Sequence, residues 1–89
     1  MVQVVFTPNL QRHVACPPTR VTGSTVAEAL ECVFRDNPTL RRYVLDDQGA
    51  LRKNMVIFVD GQATKDRRTL ADSLDEDAEV FVMQALTGG

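Results

Sequence analysis

Thr25-Val26-Ala27-Glu28-Ala29-Leu30-Glu31-Cys32-Val33-Phe34-Arg35 is the stretch on which the fold turns. Thr25 and Glu28 have the spacing of a capping box, in which the threonine oxygen accepts from the third helical amide and the glutamate reaches back. Val26, Ala29, Leu30, Val33 and Phe34 then recur at helical period, with Glu28, Glu31 and Arg35 on the opposite side. One amphipathic helix of this kind needs an apolar partner, and the flanking sequence supplies strands. Before it, Val2 to Phe6 is a β-rich run closed by Thr7-Pro8-Asn9. Thr19-Arg20-Val21-Thr22 alternates as a second strand, after the turn signal Cys16-Pro17-Pro18. These two runs predict a hairpin with a long, irregular loop.

After the helix, Asn37-Pro38 stops it and starts a short one, with Asn37 as cap and Pro38 in the first turn. Leu40, Tyr43, Val44 and Leu45 are its expected buried residues. Asp46-Asp47-Gln48-Gly49 reads as a turn. Met55-Val56-Ile57-Phe58-Val59 is the most apolar strand, and Asp60-Gly61 is a tight-hairpin signal that returns Gln62-Ala63-Thr64 beside it. Leu70 to Leu74 is expected to make a helical turn or two before an acidic bend. The last strand is Glu79-Val80-Phe81-Val82-Met83-Gln84-Ala85-Leu86. Strands before and after a crossing helix give an α+β fold, a small mixed sheet of about five strands with one covered face.

With 89 residues there is room for one core. Ten basic and twelve acidic residues leave a net charge of −2, too balanced for a nucleic-acid binder. No apolar run approaches the roughly 20 residues of a membrane span. Met1-Val2-Gln3-Val4-Val5-Phe6 lacks the flank and cleavage site of a signal peptide, so a cytoplasmic location with reduced Cys16 and Cys32 is expected. Basic residues gather at Arg41-Arg42, at Arg52-Lys53 and around Lys65, Arg67 and Arg68; they read as solvated surface or as a docking face for an acidic partner.

Candidate nucleophiles and metal ligands are weak. Cys32 flanks the apolar stripe of the helix without a nearby histidine, and Cys16 sits beside two prolines with nothing to lower its pKa. His13, the only histidine, has no zinc-ligand spacing to the cysteines. Asp72, Asp75, Glu76, Asp77 and Glu79 match no calcium motif and read as a solvated acidic turn. No metal is expected.

The end of the sequence carries the functional signal. Only Thr87 separates the last strand from Gly88 and Gly89, which have no Cβ and can thread a narrow cleft to present an unhindered carboxylate. Residues 1–87 are expected to form the domain and 88–89 a flexible diglycine tail. Val80 and Val82 on one face of the last strand, and Phe81 and Met83 on the other, are all apolar, so one set is left over after the helix is packed. Phe81 and Met83 are expected to face outward, because Val80, Val82 and the β-branched residues of strand 55–59 suit a packed interior. With Leu86 they form the expected docking surface.

Over essentially its whole length the chain resembles the ubiquitin-like β-grasp sulfur carriers typified by MoaD, ThiS and CysO. Met83-Gln84-Ala85-Leu86-Thr87-Gly88-Gly89 is similar to the ThiS tail, with glutamine five residues before the last glycine. Residues 49–61 are similar to the middle of MoaD-like and CysO-like carriers. The resemblance implies a carrier protein rather than an enzyme, with no bound cofactor. A partner activating enzyme would use ATP to adenylate Gly89, and sulfur would replace AMP to leave a C-terminal thiocarboxylate (1-thioglycine). A sulfur-accepting synthase would then take the sulfur for cysteine, a cofactor, tRNA thiolation or another sulfur-containing metabolite. The same tail also suits a ubiquitin-like modifier joined through Gly89 to lysine, or the small subunit of a molybdopterin synthase. A binding module that never uses its terminus is the reading from another class.

Overall fold

In a computed structural model, which describes residues 1–11 and 17–84, the chain folds into a five-stranded mixed sheet with helices packed on one face. The order is β1 (Val2–Phe6), α1 (Pro8–Gln11), β2 (Thr19–Val21), α2 (Val26–Asp36), α3 (Pro38–Val44), β3 (Met55–Val59), β4 (Gln62–Ala63) and β5 (Glu79–Gln84). In space the strands run β2-β1-β5-β3-β4. The last strand therefore lies at the centre, parallel to β1 and antiparallel to β3. This is the expected α+β, ubiquitin-like β-grasp architecture.

Local signals account for most elements. Thr25 accepts from the Glu28 amide at 3.2 Å, so the cap of α2 forms as its sequence requires. Glu28 reaches back one residue further than a capping box does, accepting from the amide and hydroxyl of Ser24, both at 2.9 Å. The Thr25 backbone is instead bridged to Ser73. Val26, Ala29, Leu30, Val33 and Phe34 are all buried. They meet the inner sheet row of Val2, Val4, Phe6, Met55, Ile57, Val80 and Val82, each 1% exposed or less. The turn at Asp60 (φ 50°) and Gly61 (φ 86°) has both central residues left-handed, the requirement of a tight hairpin that matches strand twist.

Three readings are corrected. Tyr43 is 39% exposed, because Leu40 and Val44 already define the buried side of a helix too short to bury a third stripe. Thr7-Pro8-Asn9 does not merely close β1, since Pro8 opens the short helix α1, which buries Leu10. Residues 70–74 are not helical. Leu70 is left-handed (φ 54°), and Ser73 pairs with Thr25 in extended geometry. The reason is backbone pairing with the segment that leads into α2: Val26 and Ala27 donate to the Asp72 and Leu70 carbonyls at 3.1 and 2.9 Å, and Leu74 donates to the Ser24 carbonyl at 2.8 Å. Asp72 accepts from the Lys65 and Asp66 amides at 3.0 Å, and Asp66 accepts from the amides of Arg68, Thr69 and Ala71. These carboxylates hold the turn that precedes the segment, while backbone groups spent on residues 24–27 cannot build a helix ladder.

Candidate functional site

Position within the sheet decides what each face of β5 does. Register pairs Val80 with Val4 and Val59, and Val82 with Phe6 and Ile57, all facing the helices. Alternation then turns Phe81 and Met83 to the other face. There Phe81 lies between Val5 of β1 and Phe58 of β3, with Ala63 of β4 beyond, and Met83 is paired with Val56. Phe81, Met83, Val5, Val56 and Phe58 are half-buried, each shielding its neighbours, and no helix among the described elements crosses this face. The outward expectation for Phe81 and Met83 is met.

Sequence reading missed the rest of the patch. It assigned the β-branched residues of β3 to the interior, but Val56 faces out with Phe58 while Met55 and Ile57 are fully buried. The signal was present: Val4-Val5-Phe6 and Val56-Ile57-Phe58 are apolar on both alternating sets, as β5 is. Three adjacent two-sided strands define an outer patch wider than β5 alone.

This patch borders the root of the tail. Gln84, the last described residue of β5, is paired with Met55 at the start of β3. Gly89 follows Gln84 by five residues, a span of at most about 18 Å even when fully extended. Leu86, Thr87, Gly88 and Gly89 lie outside the described residues, as do His13 and Cys16.

The other candidates have structural employment. Cys32 is partly buried against the core, and its thiol donates to the Thr22 carbonyl at 3.4 Å. No group of metal-ligating side chains occurs among the described residues. Asp66 and Asp72 hold the 65–72 loop rather than an ion. The Thr69 hydroxyl and then the Thr69 amide hold the Asp66 carboxyl down at about 2. Asp72 is also lowered, first by the Lys65 amide. Ser24, through its amide and then its hydroxyl, lowers Glu28. These are carboxylates fixed in their charged form, unsuited to carry protons at neutral pH. No described helix is long and apolar enough to cross a membrane.

No family model and no curated protein matches the chain. Solved structures do. SAMP1 from Haloferax volcanii matches with a TM-score of 0.81 at 21% identity, over 99% of this chain and 98% of that one. The Amycolatopsis orientalis BexX/CysO complex contains a chain that matches with a TM-score of 0.83 at 17% identity, over 100% of both. Mycobacterium tuberculosis CysO gives 0.80 at 17%, over 97% of this chain and 100% of that one. At these identities the property shared with SAMP1 and CysO is the fold, a ubiquitin-like β-grasp.

Proposed function

We propose that this chain is a ubiquitin-like sulfur carrier whose chemistry resides at Gly89. The observation that carries the reading is the outward apolar face of β5, continuous with the strand that leads into Leu86-Thr87-Gly88-Gly89. An activating enzyme docks on Phe81, Met83 and Leu86 and takes in the tail. A Gly89 carboxylate oxygen attacks the α-phosphorus of ATP and pyrophosphate leaves. Sulfide then attacks the carbonyl carbon and AMP leaves, giving the thiocarboxylate; a protein persulfide would instead give an acyl disulfide, whose S–S bond a second thiol reduces to release the thiocarboxylate and form a disulfide with the donor. The acyl-adenylate needs a water-free enclosure, which a tail of glycines can enter without steric obstruction. The domain contributes positioning, and its partners supply catalysis in the cytoplasm.

Likeness to SAMP1, a small archaeal modifier protein by name, favours a second outcome for the same adenylate. A lysine amine would displace AMP and form an isopeptide bond. Intact-mass spectrometry separates the two. The carrier reading expects one oxygen exchanged for sulfur at the terminus, and the modifier reading expects lysines carrying a branch that ends at Gly89. Deleting Gly89, or Gly89→Val, is expected to abolish adenylation at unchanged thermal stability. Full activity in either variant would remove both readings and leave a binding module that does not use its terminus.

A further inference from the structure

Segments of three basic clusters, separate in sequence, meet through Arg42, Arg52 and Arg67 beside the root of the tail. Arg52 donates through Nε to the carbonyl of Arg42 at 2.7 Å. Arg67 donates to the carbonyls of Arg52 and Met55, both at 2.8 Å. Backbone bonds lock the same segments together, from Arg52 to the Val44 carbonyl at 3.1 Å and from Leu51 to the Arg67 carbonyl at 2.8 Å. Met55 is the residue paired with Gln84, so the assembly sits where β5 ends.

What distinguishes the cluster is how its charge is left. Arg52 and Arg67 spend donors on carbonyl oxygens, which satisfy hydrogen bonds but do not neutralise a cation. The ion pairs among the described residues are Arg41 with Glu31 and the N-terminus with Asp77. Arg42 and Lys53 are exposed without an acidic partner among those residues. Asp46 lines the same shallow depression as Arg52 and Lys53. It accepts from the Gln48 and Ala50 amides at 2.9 and 3.0 Å, holding its own turn. A chain with net charge −2 thus gathers unneutralised cations beside its apolar face.

We infer that Arg42, Arg52, Lys53 and Arg67 form a docking surface for a carboxylate-bearing, acidic rim on the enzyme that activates the tail. The inference rests on the carrier reading and specifies the partner's chemistry. Guanidinium groups suit interface carboxylates, because the planar fork is weakly hydrated and keeps its charge when partly desolvated. The start of β3 joins this surface to the apolar face: Val56 and Met83 lie one residue from the Met55–Gln84 pair. An apolar centre with a charged rim is the usual anatomy of a specific interface. The rim steers the encounter and sets the register in which the tail enters.

The test uses Arg42→Glu and Lys53→Glu, singly and together, because neither side chain holds the described fold through a hydrogen bond. Arg35→Glu, on the last turn of α2, is the charge-matched control for each single variant. ATP–pyrophosphate exchange by the organism's adenylating enzyme is expected to show KM for the carrier raised about tenfold in the double variant, with kcat and melting temperature unchanged. The dependence of KM on sodium chloride should flatten with it, since the screened interaction is gone. Hexaglutamate peptide titrated into the isotopically labelled chain should shift the amides around residues 42, 52 and 53 in the wild type and not in the double variant. Exchange by the wild type with unaltered KM in the double variant overturns the inference. Absence of wild-type exchange instead sinks the carrier reading, and the peptide titration still decides the surface: no shift in the wild type overturns it. Inorganic phosphate that competes where chloride of equal ionic strength does not would mark a phosphate site and overturn the carboxylate assignment.

Discussion

Phe81→Asp and Val82→Asp place the same charge on adjacent residues of one strand and should give opposite outcomes. Val82 is 0% exposed between Phe6 and Ile57, so its carboxylate would enter the core without a partner. That costs several kcal/mol, a large part of the roughly 5–15 kcal/mol that holds a typical domain. Phe81 is half-buried on the outer face, where the new carboxylate stays hydrated. Its loss removes two cross-strand pairs, with Val5 and Phe58, at roughly 0.2–1 kcal/mol each, and β-propensity adds up to about 1 kcal/mol. A total of about 2 kcal/mol lowers the melting temperature by about 8–16 °C in a domain of this size and leaves the protein folded at room temperature. Circular dichroism melts measure that half. The functional half is read at room temperature by ATP–pyrophosphate exchange. Loss of a central interface anchor costs about 2 kcal/mol or more, which is roughly thirtyfold in KM for the carrier. A stable Val82→Asp with an unfolded Phe81→Asp would reverse the assignment of faces, and a folded Phe81→Asp with wild-type KM would refute docking on this face.

Gly23→Ala should destabilise by about 1–3 kcal/mol, because a Cβ there meets the Ala29 amide nitrogen at 2.8 Å and neither backbone can yield. Gly49→Ala meets no atom within 4 Å but needs φ near +85°, so about 1 kcal/mol is expected; equal melting temperatures for the Gly23 variant and wild type would contradict the close approach. Asp66 has its carboxyl held at about 2 against an ordinary 3.8, so its contribution is complete above the ordinary value and is lost as pH falls through 2. NMR titration should show the amides of Arg68, Thr69 and Ala71 shifting in that window while those of Val80 to Gln84 do not; an Asp66 midpoint near 3.8 would remove the explanation of the 65–72 loop. The Cys16→Ser, Cys32→Ser double variant should still acquire the thiocarboxylate, and loading that requires either cysteine would mean a persulfide relay on this chain.

What the sequence made legible follows the range of the interactions involved. Thr25, Val26, Ala29, Leu30, Val33 and Phe34 disclosed the start and buried face of α2, because N-capping and 3.6-residue periodicity are fixed within a few residues of chain, whereas the shift of Glu28 to Ser24 was not legible. Asp60-Gly61 disclosed its hairpin for the same reason. Leu70 to Leu74 misled, since its backbone pairs with Ser24, Thr25, Val26 and Ala27, far away in the sequence, and such pairing leaves no periodic trace. Tyr43 misled because its neighbours Leu40 and Val44 suffice to cover the core. The width of the outer patch depends on strand order, and the meeting of Arg42, Arg52 and Arg67 on contacts between α3 and two loops, neither of which local pattern encodes.

Strand order is also what makes the candidate site mechanically coherent. A strand that ends near the reactive terminus could have been placed at a sheet edge, where one ladder would hold it. Here β5 is bonded on both sides, to β1 through four register pairs and to β3 through five. Both neighbours contribute an apolar residue beside Phe81, and β3 alone contributes the partner of Met83 and the loop that bears Arg52 and Lys53. The central strand therefore fixes the apolar anchor, the basic rim and the departure point of the tail in one rigid frame. On the proposed carrier reading, only five residues connect Gln84 to Gly89, and at about 1–2 kcal/mol of backbone entropy per residue a short connection to a rigid strand limits what is lost in bringing Gly89 to a phosphate.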